Sequence, residues 1–182
     1  MSIVNTQFGH AFVHVPKTGG TSMERQPFVG GNNHDSIYTL LKHPECHKLF
    51  KWAFVRNPYD RLLSFHSAVW QHPNNGLRNI VPSHFPSFVF SLLTEEYKTA
   101  HLKLQSDFLC VDDKVVMDFV GRFETIQQDW KVVCKQIGVP SDTLRHLNAT
   151  EHSPWEICYT DDMRCVVYQF YKKDFTLFNY KE

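Results

Sequence analysis

What this 182-residue chain lacks narrows its class before any motif is read. Its five cysteines, Cys46, Cys110, Cys134, Cys158 and Cys165, form no C-x-x-C pair and no metal-ligand spacing, and the odd count leaves at least one thiol free, so reduced thiols are expected. No carboxylate or His/Cys cluster suggests a metal, and none is expected. No apolar run approaches the ~20 residues of a membrane span, and Met1-Ser-Ile-Val-Asn-Thr lacks the basic and apolar regions of a signal peptide. A cytoplasmic protein without a membrane partner is the expectation. An excess of one charge is missing as well: 19 Lys plus Arg balance 19 Asp plus Glu, and no long basic run offers a field for nucleic acid. Any affinity for anions must be local. No Pro/Gly/Ser-rich linker, repeat or low-complexity stretch divides the chain, so residues 1–182 are expected to form one domain, with 42% hydrophobic and 14% aromatic residues for its core.

Against that background one stretch stands out. Ala11-Phe-Val-His-Val15 is an apolar strand that runs into Pro16-Lys-Thr-Gly-Gly-Thr-Ser22. Gly19 and Gly20 allow positive φ and close approach to a ligand, Thr18, Thr21 and Ser22 offer hydroxyls, and a helix starting just afterwards aims free N–H groups at an anion. Lys17 adds positive charge. The nucleotide P-loop G-x-x-x-x-G-K-[ST] places its lysine after the glycines, whereas here it precedes them, which argues against an ordinary ATP or GTP site. A tight strand-to-helix turn with a solvated lysine fits the same residues.

A second constellation lies further along the chain. Lys51-Trp-Ala-Phe-Val-Arg56 reads as a buried strand, Asn57-Pro58 as a helix cap with proline in the first position, and Tyr59 to Val69 as a helix with Leu62, Leu63, Phe65, Ala68 and Val69 on one face and Ser64 near its border. An arginine at a strand's exit and a serine on the next helix can grip one phosphate. Arg61 could join them or pair with Asp60 or Glu24 at the surface.

Together, V-P-K-T-G-G-T-S and F-V-R-N-P-Y-D-R-L-L-S-F-H resemble the 5′-phosphosulfate loop and the 3′-phosphate motif of sulfotransferases that use 3′-phosphoadenosine 5′-phosphosulfate (PAPS). The later G-R-F-E, H-L-N and F-N-Y segments are similar to the carbohydrate-type families, and the stretch from Asn74 to Lys114 is the part the resemblance explains least. It implies that Lys17, Thr18, Gly19, Gly20, Thr21 and Ser22 hold the 5′-phosphate, that Arg56 and Ser64 hold the 3′-phosphate, and that adenosine 3′,5′-bisphosphate is the product. Eukaryotic Golgi members carry a membrane anchor and lumenal disulfides, from which this chain departs.

Sulfuryl transfer to an alcohol needs a base and a cation for the departing charge. Lys17 fits the second need. For the first, the resemblance favours His34, which opens H-D-S-I-Y-T-L-L-K, where Asp35 or Ser36 can cap a short helix; His34 also fits a plain polar loop. His14 reads as a packed strand residue beside the cradle, Glu24 as a carboxylate that takes the role if His34 faces away, and His66, His72, His84 and His101 as substrate contacts without specific support. Trp155 and Phe123 are candidates to stack on adenine.

The expected architecture is a three-layer, P-loop-like α/β domain with a central, mostly parallel sheet flanked by helices, with strands near Phe12–Val15, Trp52–Arg56 and Val115–Phe119 and ligand at their C-terminal ends. Phe85 to Leu93 and Glu95 to Leu104 look helical. The function implied is transfer of a sulfuryl group from PAPS to a hydroxyl of a carbohydrate or other small alcohol. A P-loop kinase for a nucleotide or small molecule, or a non-catalytic nucleotide-binding protein, are the rivals. No motif encodes the acceptor's identity, O- against N-sulfation or the oligomeric state.

Overall fold

The computed structural model describes residues 4–30, 34–141, 143–144 and 152–182. They belong to two compact units, Met1–Arg56 with Leu104–Asn148, and Asn57–Lys103 with Ala149–Glu182. In chain order the first unit contributes strands β1 (Val4–Asn5) and β2 (His10–Val13), helices α1 (Gly20–Glu24) and α2 (Ile37–Leu40), and strand β3 (Phe50–Val55). The second unit comes next with α3 (Pro58–Gln71) and α4 (Phe85–Ser91). The first then resumes with α5 (Ser106–Leu109), the short strands β4 (Cys110–Val111) and β5 (Lys114–Val115), β6 (Phe119–Arg122) and α6 (Ile126–Ile137), and the second closes with α7 (Trp155–Cys158) and α8 (Asp161–Leu177).

In the first unit the sheet runs β1-β2-β3-β6, with β1 antiparallel on the edge and the other pairs parallel. The near-continuous apolar sequences of β2 and β3 are those of strands covered on both faces. Phe12, Trp52 and Phe54 on one face pack with Met23 of α1 and Ile126, Trp130 and Val133 of α6, while Ala11, Val13, Ala53 and Val55 on the other face are equally buried. The Phe12 and Trp52 rings stack at 4.2 Å. Each large side chain so buried contributes about 1.5–3 kcal/mol, against about 1 kcal/mol for a typical hydrogen bond, so this aromatic layer dominates the unit's stability. Gly121 belongs to it: a Cβ there would lie 2.6 Å from Phe54 Cε1, which accounts for the glycine of G-R-F-E by packing. His10 is a satisfied core histidine, accepting from Trp52 Nε1–H at 3.2 Å and donating to Phe28 O at 2.9 Å, and burial lowers its pKa.

The third parallel strand differs from expectation. Of the expected Val115–Phe119 strand only Val115 is in a strand before residue 119, and it belongs to β5 (Lys114–Val115), which pairs with β4 in a hairpin turned by Asp112 and Asp113 at φ 48° and 61°. The sheet strand begins at Phe119, because Asp118 binds the backbone of Lys51 twice, Lys51 N–H to its carboxylate at 2.7 Å and its own N–H to Lys51 O at 2.8 Å, and so sets the register.

In the second unit Asn57 caps α3 by accepting from Tyr59 N–H at 2.9 Å, with Pro58 in the first turn, as the N-P-Y sequence requires. Thr160 caps α8 through Met163 N–H. The helix expected over Glu95–Leu104 is reduced to a single 3₁₀ turn at Ala100–Leu102. Its carbonyls have another donor: Arg61, 1% exposed and not at the surface, donates to His101 O at 3.0 Å and Lys103 O at 2.8 Å, and Tyr171 Oη donates to Leu102 O. Among the described residues, no helix is long and apolar enough to cross a membrane, and all five cysteines are free.

Candidate active site

The first unit's three parallel strands end side by side, and the segments leaving their C-terminal ends converge. After β2 the chain continues, buried, through His14-Val15-Pro16 to Lys17 at φ 69° and Gly19 at φ 84°, then turns into α1. Gly19 is required by its left-handed backbone, and a Cβ there would also displace the Ile126 Cδ1 methyl, 2.6 Å away. Gly20 is different from expectation: it is helical, and glycine is needed there because the His14 ring occupies the space, with its Cδ2 and Nε2 2.1 Å from where a Cβ would be. The positive φ expected at both glycines falls instead on Lys17 and Gly19. Thr18 is buried and its hydroxyl donates to Val15 O at 2.8 Å, so it braces the loop from within. Ser22 is buried and Thr21 half-buried at the start of α1.

After β3 comes Arg56, 7% exposed. One of its Nη atoms donates to Lys17 O at 3.2 Å, and its guanidinium lies 4.0 Å over the ring of Phe123, the residue just past the end of β6. Phe123 thus carries an arginine on its face. The Arg56 backbone is held by Gln105, fully buried, which accepts from Arg56 N–H and donates to Arg56 O, both at 2.9 Å. Sequence reasoning missed Gln105, since a lone glutamine 49 positions away carries no motif. Two cations are therefore brought together: burial, and then the Arg56 charge, lower the Lys17 amine to about 8. An amine in that state gains from an anion, which restores its charge.

His34, half-buried, leads into α2, with Ser36 in the cap position but without a side-chain cap bond. Its Nδ1 is 3.0 Å from His14 O, and a carbonyl only accepts, so Nδ1 carries the hydrogen and Nε2 the lone pair of the neutral ring. The His34 ring meets the His14 ring edge-on at 4.4 Å. His14 lies just past β2, not within it, and its Nδ1 is 2.7 Å from Glu24 Oε1. Loop, arginine and histidine thus gather past the C-terminal ends of β2 and β3.

The sulfotransferase family matches residues 2–181, nearly the whole chain. The chain belongs to the sulfotransferase family. It is 27% identical over 180 residues to human carbohydrate sulfotransferase 9, covering 79% of this chain and 39% of that protein. It is 25% identical over 168 residues to mouse carbohydrate sulfotransferase 8, covering 72% of this chain and 40% of that protein. The chain thus spans about two fifths of the length of these curated relatives. No solved structure gives a significant match.

For a sulfotransferase, the remaining sequence candidates divide clearly. Ser64 lies in the second unit, buried on α3. His66 is a core residue there: its ring packs against both Phe85 and Phe88, its Nε2 is 2.9 Å from Pro82 O, and burial lowers its pKa. His101 packs against Phe65, His84 lies 3.0 Å from the Ser87 hydroxyl, and His72 is exposed. Trp155 stacks on Tyr59 at 4.9 Å within the second unit. The H-L-N segment at 146–148 lies outside the described residues. Among the described residues, no group of three or more His, Cys, Asp or Glu is arranged to hold a metal ion.

Proposed function

We propose that this sulfotransferase moves a sulfuryl group from PAPS to a hydroxyl of a saccharide or another small alcohol, with Lys17 and His34 as its catalytic residues. The observation that carries the reading is the convergence of Lys17 and Arg56 at neighbouring strand exits, where burial and the Arg56 charge lower Lys17 to about 8. That is the electrostatics of a site for a multiply charged anion. The donor supplies the sulfuryl group and a phosphate leaving group. Lys17, with Thr18 to Ser22, holds the 5′-phosphate and offsets the charge that grows on it; Arg56 and Ser64 hold the 3′-phosphate; His34 Nε2 takes the acceptor proton. The names of the two relatives support a saccharide acceptor. The family match spans both units, which favours treating residues 1–182 as one three-layer, P-loop-like sulfotransferase domain.

The test is thermal. Adenosine 3′,5′-bisphosphate at ~100 times its Kd should stabilise the protein by about 2.7 kcal/mol, which for a chain of this size raises Tm by about 5–10 °C. AMP and ATP lack the 3′-phosphate and should do far less. Equal shifts with ATP would favour a kinase instead.

A second expectation concerns pH. Because the free Lys17 amine sits at about 8 and a bound phosphate raises it, binding takes up a proton at and above that pH. Affinity for the bisphosphate is therefore full below about pH 7 and falls as pH rises through about 8, by up to about tenfold per unit. Calorimetry in buffers of different ionisation enthalpy reads the proton directly, and Lys17→Met should abolish the uptake. Uptake that survives in that variant assigns the proton to another group.

A further inference from the structure

We propose that His14 and Glu24 are positioning residues for His34: the pair holds the His34 ring against the loop and supplies the negative charge that balances the imidazolium formed as His34 takes the acceptor proton. The inference rests on the reading of His34 as base. Its grounds are a chain of contacts that ordinary core packing does not need. His34 Nδ1–H is held by His14 O at 3.0 Å, the two rings meet at 4.4 Å, and His14 Nδ1 is 2.7 Å from the Glu24 carboxylate. A carboxylate accepts only, so His14 Nδ1 carries its hydrogen toward Glu24. The side chains of His14 and Glu24 are 8% and 10% exposed, so water does little to screen them.

The contacts also say which histidine reacts. His14 turns Nε2 onto Gly20, where a Cβ would come within 2.1 Å, so this nitrogen faces backbone and His14 is a support. His34 keeps Nε2 as its lone-pair nitrogen. In the transfer, the acceptor O–H proton passes to His34 Nε2, the O–S bond forms, and the bond from sulfur to the phosphate oxygen breaks with its electron pair leaving on phosphate. His34 thereby becomes cationic, and the Glu24 carboxylate, one ring away, offsets that charge. A fixed negative group placed where positive charge develops lowers the barrier without reorganising.

Glu24→Gln separates this role from a purely structural one, because glutamine is isosteric and still accepts from His14 Nδ1–H. The variant should keep Tm, bisphosphate Kd and donor KM near those of the parent, yet lose about 10–100-fold in kcat, the size of effect known for the hydrogen-bond partners that orient metal-bound histidines. Combined with His34→Ala it should cost nothing further. A kcat equal to the parent's overturns the proposal, as does a kcat loss matched by lost bisphosphate affinity, which would make the pair a brace for the loop. Nitrogen NMR of the ligand-free protein gives a readout independent of activity: His34 should show the Nδ1–H tautomer, because the His14 carbonyl accepts that hydrogen. A dominant Nε2–H tautomer in the parent overturns the proposal even where the bisphosphate binds well. Failure of the parent to bind the bisphosphate refutes the PAPS reading instead.

Discussion

Replacing His34 by alanine is expected to lower turnover by roughly 10²–10⁴-fold, the usual contribution of a positioned general base. Affinity for adenosine 3′,5′-bisphosphate should stay near that of the parent, because the phosphates are assigned to Lys17, the loop, Arg56 and Ser64, and the His34 ring is assigned to the acceptor proton. The acid limb of the pH–rate profile should also disappear, since a protonated imidazole cannot accept a proton and the variant has no such group to lose. The measurement needs an acceptor, which a saccharide panel should supply. Undiminished turnover in His34→Ala would transfer the role to another group and leave the phosphate assignment intact.

The second large effect is expected at Arg56. Arg56→Ala should weaken the bisphosphate by about 2–5 kcal/mol, the range for removing one partner of a buried charge pair. That corresponds to roughly 30- to 4,000-fold in Kd. Its guanidinium is nearly enclosed, lying over Phe123 and reaching Lys17 O, so the phosphate it meets is only weakly screened by solvent. Removing it also relieves the charge beside Lys17, so the Lys17 amine should rise from about 8 and the fall in affinity with pH should move to higher pH. Calorimetry on parent and variant over a pH range bracketing that value measures both effects, and unchanged Kd would refute the 3′-phosphate assignment. Arg56→Lys should recover only part of the loss, because an ammonium cannot reproduce the planar, two-pronged contact.

The sequence by itself determined the local pieces and the family. An apolar strand running into P-K-T-G-G-T-S, a second ending at R-N-P, the Asn57-Pro58 cap and the Gly138 stop of α6 all depend on neighbours a few residues apart, which is the range over which backbone conformation and capping act. Tertiary structure decided the rest. Gly20 is glycine because of the His14 ring, Gly121 because of Phe54, and Arg61 is buried because carbonyls 40 and 42 positions away need its donors. Gln105 clamps Arg56 across 49 positions, and His34 is fixed by His14 across 20. None of these pairs leaves a periodic or motif signature, because each is closed by the packing of separate segments, through strand register in the first unit and helix packing in the second, and not by spacing along the chain. The third strand shows the same limit: apolar residues recur from Val115 through Val120, and it is the bond between Lys51 and Asp118, set when β3 and β6 align, that chooses where the sheet begins.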